Sequence, residues 1–185
     1  MIPRLSPARW PRGDGPPGPA GAGREGRVLT VFPIGKELAR QFLNKYHPLG
    51  AGGALRGAKY ILGGFEEGQL SFVALLTAPR SRWSRHPVSL ELSRLAIAPW
   101  VAHSASTFLR KIERYLRRQG FRGAIVTYAL PGSSGMVYVR AGWRPFGLSS
   151  GAYRSRRGPN GRPTPDTVGS GRRLRRFILR VGGSP

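Results

Sequence analysis

Three polar residues interrupt an otherwise apolar segment, LELSRLAI at residues 90–97: Glu91, Ser93 and Arg94. A segment of this composition is expected to be a buried strand. Burying a carboxylate, a hydroxyl and a guanidinium is costly unless each is paired or put to use. Strand alternation sends Glu91 and Ser93 to one face and Arg94, three residues from Glu91, to the other. Glu91 is then the candidate base or amine-orienting carboxylate, with Ser93 beside it. Arg94 either holds a phosphate or carbonyl oxygen or neutralises a buried acid elsewhere. Tyr128 ends a second apolar segment, AIVTY at 124–128. Its ring could stack a planar group or its hydroxyl carry a proton; the competing role is a core tyrosine with a satisfied hydroxyl. Tyr138, in GMVYVRAGW at 135–143, is a candidate acid, again set against core packing. His47, His86 and His103 are the only histidines, and no H-x-H or H-x-x-x-H spacing is present. No metal is therefore expected, and His47 is the best single ligand or base.

These residues need a frame, and the stretch 89–119 supplies its centre. Pro99 stops the strand 90–97, because proline has no N–H for the ladder. Phe108, Leu109, Ile112, Tyr115 and Leu116 then recur at helical spacing, with Arg110, Lys111, Arg114, Arg117 and Arg118 on the other side. Between them, AHSAS forms a tight turn into a helix start whose N–H groups and dipole suit an anion. Upstream, 28–32 reads as a strand, 36–45 as a helix and GAGGALRG at 50–57 as a glycine-rich loop. That loop is either a flexible connection or a place where backbone closely approaches a substrate. Segments 59–65 and 70–77 read as a hairpin joined by EEGQ. Downstream come the strand 124–128, a short helix from Met136 to Gly142, a strand at 143–147 and an apolar strand at 177–179. Residues 1–27, rich in Pro, Gly and Arg, read as a disordered arm, 28–147 as the catalytic domain, and 148–185 as a basic flap with a closing strand.

Lys+Arg number 31 against 8 Asp+Glu, a formal net charge of +23, and only four of the cations are lysines. A coding bias explains arginine in place of lysine but not the scarcity of acids, so a polyanion is the natural partner. Two basic stretches suit it best: Arg80, Arg82, Trp83 and Arg85, where a ring sits among guanidinium groups, and a hairpin carrying Arg154, Arg156 and Arg157. The chain lacks cysteine, which excludes disulfides and thiol chemistry. No apolar run reaches the ~18 residues of a membrane span, and the N-terminus lacks the apolar core of a secretory signal. A cytoplasmic protein is expected, with no membrane partner, and a homodimer is allowed.

The element order β-α-β-β-β-α-β-α-β, with a central strand–turn–helix and the Gly142-Trp143 ending, resembles the GNAT acyltransferase fold. The resemblance implies a mixed α/β sheet, flanked by helices, whose two parallel strands splay around a donor. Arg94, Leu95, Ile97, Ser104 and Ser106 are the residues expected along that donor, with a plain N-cap the competing role for Ser106. AHSAST at 102–107 departs from the Arg/Gln-x-x-Gly-x-Gly/Ala loop of acetyl-CoA enzymes in having no glycine and no arginine. The donor is thus an acyl-CoA or another small-group carrier.

Within that fold four pieces resemble the Mom family of phage DNA-modification proteins. They are ELSRL at 91–95, Ser106 near the helix start, Thr127-Tyr128-Ala129, and the Gly135 to Trp143 helix with Tyr138 and Ala141; Tyr46-His47 fits more loosely. The family's acid after Tyr-Ala is Leu130 here. The resemblance implies anti-restriction modification of the exocyclic N6 of adenine in duplex DNA to a carbamoylmethylamino group, in the host cytoplasm. Two other functions remain open: an acyl-CoA-dependent N-acyltransferase acting on RNA, protein or a pre-modified base, and a non-enzymatic basic nucleic-acid binder.

Overall fold

A computed structural model describes residues 28–79, 89–129, 133–149 and 174–182. The expected arm at 1–27, the cluster Arg80, Arg82, Trp83 and Arg85 with His86, Leu130, and the expected hairpin with Arg154, Arg156 and Arg157 lie outside the described residues. The described elements are β1 (Leu29–Pro33), α1 (Lys36–Tyr46), a 3₁₀ helix (Gly52–Gly57), β2 (Ala58–Glu66), β3 (Gln69–Thr77), β4 (Leu90–Ile97), α2 (Ala105–Arg118), β5 (Gly123–Tyr128), α3 (Met136–Arg140), β6 (Arg144–Leu148) and β7 (Arg175–Val181). They make one seven-stranded sheet in the order β1-β2-β3-β4-β5-β7-β6. Every described pairing is antiparallel except β4 with β5. This is the mixed, helix-flanked sheet that the sequence predicts.

β3 is buried from Leu70 to Thr77, so it carries a core on each face. Phe72, Ala74 and Leu76 pack under α2 with Phe108, Leu109, Ile112 and Leu116. Val73 and Leu75 pack under α1 with Phe42, Leu43 and Leu55. Period-2 alternation in the strand and the 3.6 period in the helices therefore meet on the same residues. Among the described residues no helix is long and apolar enough to cross a membrane.

The glycine-rich segment is a correction to the loop expected at 50–57. Residues Gly52–Gly57 wind into a 3₁₀ helix whose Ala54 and Leu55 are buried. The chain comes close here to its own parts: the Asn44 side chain accepts from the Ala51 N–H at 3.0 Å, and the Gly50 carbonyl accepts from Arg94. Gly50 has φ +54°, and a side chain there would meet Asn44 Oδ1 at 2.9 Å.

The local irregularity of β4 matters most. Leu92 stands opposite Leu76 and Arg94 opposite Leu75, which leaves Ser93 as an extra, unopposed residue. A bulge of this kind bends the strand and increases its twist. On the other side, β4 pairs with β5 only at Leu90–Ile125, Glu91–Val126 and Leu92–Thr127. From Ser93 to Ile97, no described strand pairs with that edge, and the two parallel strands part.

A cost follows from the tight packing of β2 on α2. The Phe72 and Phe108 rings stack with centroids 4.9 Å apart, and a side chain at Gly64 would meet Phe108 at 2.7 Å. Gly64→Ala is expected to destabilise the fold by about 1–3 kcal/mol in denaturant unfolding; a neutral result would contradict this packing.

Candidate functional site

The bulge decides which side chains meet. Glu91 stands opposite Thr77, and Arg94 opposite Leu75, two residues apart on β3. Side chains two apart on a strand share a face, so Glu91 and Arg94 share the face that α1 covers. This corrects the alternation read from the sequence, which placed Glu91 and Arg94 on opposite faces. Ser93 donates its hydroxyl to the Leu75 carbonyl at 3.3 Å. Glu91 is laterally paired with Val126, and Tyr128 lies two residues further along β5. Glu91, Arg94 and Tyr128 thus lie on one face beside the place where the strands part, each of them half-buried.

Arg94 is anchored rather than loose: Nε donates to the Gly50 carbonyl at 3.1 Å and Nη1 to the Ser93 carbonyl at 2.7 Å. Next to it sits His47, just past the end of α1. Burial, with the Arg94 charge adding to it, pushes the His47 imidazole down to about 4. The ring is neutral at pH 7, and its Nδ1 accepts the Leu49 N–H at 3.1 Å. The ring proton is therefore on Nε2. His47 presents a hydrogen-bond donor at Nε2, and its one lone pair, on Nδ1, is engaged by the Leu49 N–H.

The other side of the opening belongs to Tyr138. Thr127 donates to the Leu92 carbonyl at 3.0 Å, a buried bond at the last paired position of β4 and β5. The Tyr138 hydroxyl bonds Thr127, and burial raises the phenol above its ordinary range, that bond pulling the other way. Its ring packs between Trp143 and Phe177, centroids 5.7 and 5.2 Å away. Tyr138 is thus both a core residue and a protonated hydroxyl held at the point where the strands separate. Leu95 and Ile97 stand opposite Ala74 and Phe72 and so face α2, with Ile97 37% exposed.

Beyond the open edge comes the start of α2. Ser104 is its N-cap, accepting from the Thr107 N–H at 3.2 Å, and bonds the buried Ser106 hydroxyl at 2.8 Å. What holds the preceding turn is a carboxylate that sequence reasoning missed. Glu66, only 4% exposed, accepts from the Ala102 N–H at 3.0 Å, the His103 N–H at 2.8 Å and the His103 ring at 2.7 Å. Burial, the largest single influence, raises its pKa, but the amides and ring together outweigh it, and the carboxyl lies below its ordinary range. These two amides belong to the turn that leads into α2; of the helix's own first N–H groups, that of Thr107 is taken by Ser104. An acid at a strand end, in a chain with only 8 acids, was the available signal. Thr77 was missed as well: it is buried opposite Glu91, and its Oγ1 has no hydrogen-bond partner among the described residues.

The sequence matches no protein-family model and no curated protein. The fold does match solved structures. A Bacillus subtilis acetyltransferase in complex with CoA superposes with TM-score 0.56 at 13% identity, covering 84% of this chain and 99% of that one. A ribosomal-protein alanine N-acetyltransferase from Escherichia coli gives 0.57 at 12%, covering 85% and 97%. A GNAT-family acetyltransferase from Elizabethkingia anophelis with acetyl-CoA bound gives 0.56 at 12%, covering 82% and 97%. The chain has the GNAT acetyltransferase fold, with the parallel pair and its opening at the position the resemblance implied.

Two measurements test this geometry. Folded His47 binds its proton more weakly than unfolded His47, so acidification from 6.5 towards 4 favours the unfolded chain. Wild-type stability is expected to fall by about 2 kcal/mol more than that of His47→Gln over this window, after allowance for solvent screening. Parallel pH profiles would contradict the assignment. Glu66→Ala leaves two amides without their acceptor and is expected to cost about 3 kcal/mol in denaturant unfolding at pH 7; a loss near zero would contradict the buried clamp.

Proposed function

We propose that this protein is a DNA base-modifying transferase that alters the exocyclic N6 of adenine, in the manner of the Mom family. The observation that carries this reading is that Glu91, Arg94 and Tyr128 share one face beside the β4–β5 opening, in a chain of net charge +23. Adenine N6 is a poor nucleophile because its lone pair is delocalised into the ring. The enzyme must orient the amine, accept a proton and stabilise charge on the group being transferred. It must also take the base out of the helix, at a cost of a few kcal/mol.

Each side chain has a part. The Tyr128 ring stacks the extruded base. Glu91 accepts a hydrogen bond from the N6 amine and takes its proton as N6 bonds to the donor carbon. The anchored Arg94 guanidinium is a fixed positive charge beside that carbon, and His47 adds the Nε2–H as a donor. From the other side, Tyr138 gives its proton to the departing group. The cationic surface neutralises phosphates and holds the duplex. Glu66 holds the turn that leads into the helix start. Leu95 and Ile97 on the open edge, with Ser104 and Ser106 at the helix start, line the donor's path.

A second reading, N-acyl transfer from acyl-CoA, is favoured by the solved relatives that carry CoA or acetyl-CoA. Tight acetyl-CoA binding by calorimetry would support it over the first.

The test is co-expression with a plasmid, digestion to nucleosides and mass spectrometry. A modified deoxyadenosine is expected. Glu91→Gln and Tyr128→Phe are each expected to lower its yield at least about 100-fold. Unaltered adenine beside correctly folded wild-type protein would overturn the proposal.

A further inference from the structure

α2 turns Phe108, Leu109, Ile112 and Leu116 into the sheet, and so turns the opposite side outward. At about 100° per residue, Arg110, Arg114, Arg117 and Arg118 fall on one stripe centred opposite that core, and all four are exposed. The helix's one acid, Glu113, lies on a flank of the stripe, and Lys111 on the other. Among the described residues none of the four arginines is in an ion pair.

Two ordinary explanations fall short. Cations in a last turn complement the helix dipole, which accounts for Arg117 and Arg118 but not for Arg110 and Arg114 further in. A surface tuned for solubility intersperses both signs. This one instead sets like charges three and four residues apart, at 110/114, 114/117 and 114/118, where they repel and destabilise the helix. A strong anion opposite the stripe would relieve this repulsion.

We infer that the arginine stripe of α2 is a docking track for the phosphate backbone of duplex DNA. Arginine forks match phosphate oxygens in pairs. At 1.5 Å per residue the stripe is about 12 Å long, enough for its four guanidinium forks to engage successive phosphates of the backbone. α2 begins at the turn that follows the open edge of β4, so the track starts beside the opening and leads away from it. The identity of the anion as DNA rests on the function proposed above; the pull on phosphate does not.

The test replaces all four arginines, as Arg110→Gln, Arg114→Gln, Arg117→Gln and Arg118→Gln together, and measures binding to a DNA duplex of about 30 base pairs by fluorescence anisotropy across a salt series. The slope of log affinity against log salt is expected to shrink by about 3, with affinity near 0.1 M salt falling at least about 100-fold. The melting temperature should hold or rise as the repulsion is relieved. An unchanged slope in the folded variant would overturn the track. A slope change seen only with an RNA duplex of the same sequence would overturn the assignment to DNA. Modified adenine from the wild type, with no slope change in the variant, would sink the track and leave the function standing. The reverse pattern would sink the function and support the track.

Discussion

One unopposed residue sets the geometry of this protein. Ser93 is inserted between Leu92 and Arg94 relative to β3, and its hydroxyl is tied to the Leu75 carbonyl. The strand continues on both sides of it in register with β3, so the core is not disturbed: Leu92 and Leu95 both face α2, and Arg94 and Ala96 both face α1. What changes is the far edge, where pairing with β5 stops one residue earlier. The same insertion moves Arg94 onto the face of Glu91. The opening in the sheet and the placing of two charged side chains on one face beside it therefore have a common cause.

The polar groups of β4 and its surroundings are held from distant parts of the chain. Arg94 reaches the Gly50 carbonyl, which brings the end of α1 and the 3₁₀ helix against the opening. Glu66, from the β2–β3 hairpin, fixes the turn before α2 from the opposite side. Thr127 pins the two parallel strands at the position where they part. Each contact fixes a group beside the opening. A cleft built this way is rigid at its vertex and open along the edge from Ser93 to Ile97.

The elements were legible because their signals are local. LELSRLAI, the Pro99 stop and the spacing of Phe108, Leu109, Ile112 and Leu116 are each sufficient without knowledge of neighbours, and the element order carried the fold. The bulge was not legible: nothing in the string marks Ser93 as the extra residue, since that depends on pairing with β3. The Glu66 clamp joins residues 36 and 37 positions apart, and its carboxylate reads as part of a polar turn until the hairpin is folded. Glycines concealed the 3₁₀ helix, because their freedom suggests a loop wherever packing on Ala54 and Leu55 is unseen. His47 was visible as a site residue, but its proton's location follows only from the Leu49 amide.

Amide hydrogen exchange, resolved residue by residue along β4 and β5, tests this construction most directly. Slow exchange is expected at Leu90–Leu92 and across β5, rapid exchange at the β5-facing amides from Ser93 to Ile97, and protection spreading past Leu92 when Ser93 is deleted. Uniform protection along the whole of β4 in the unaltered chain would contradict it.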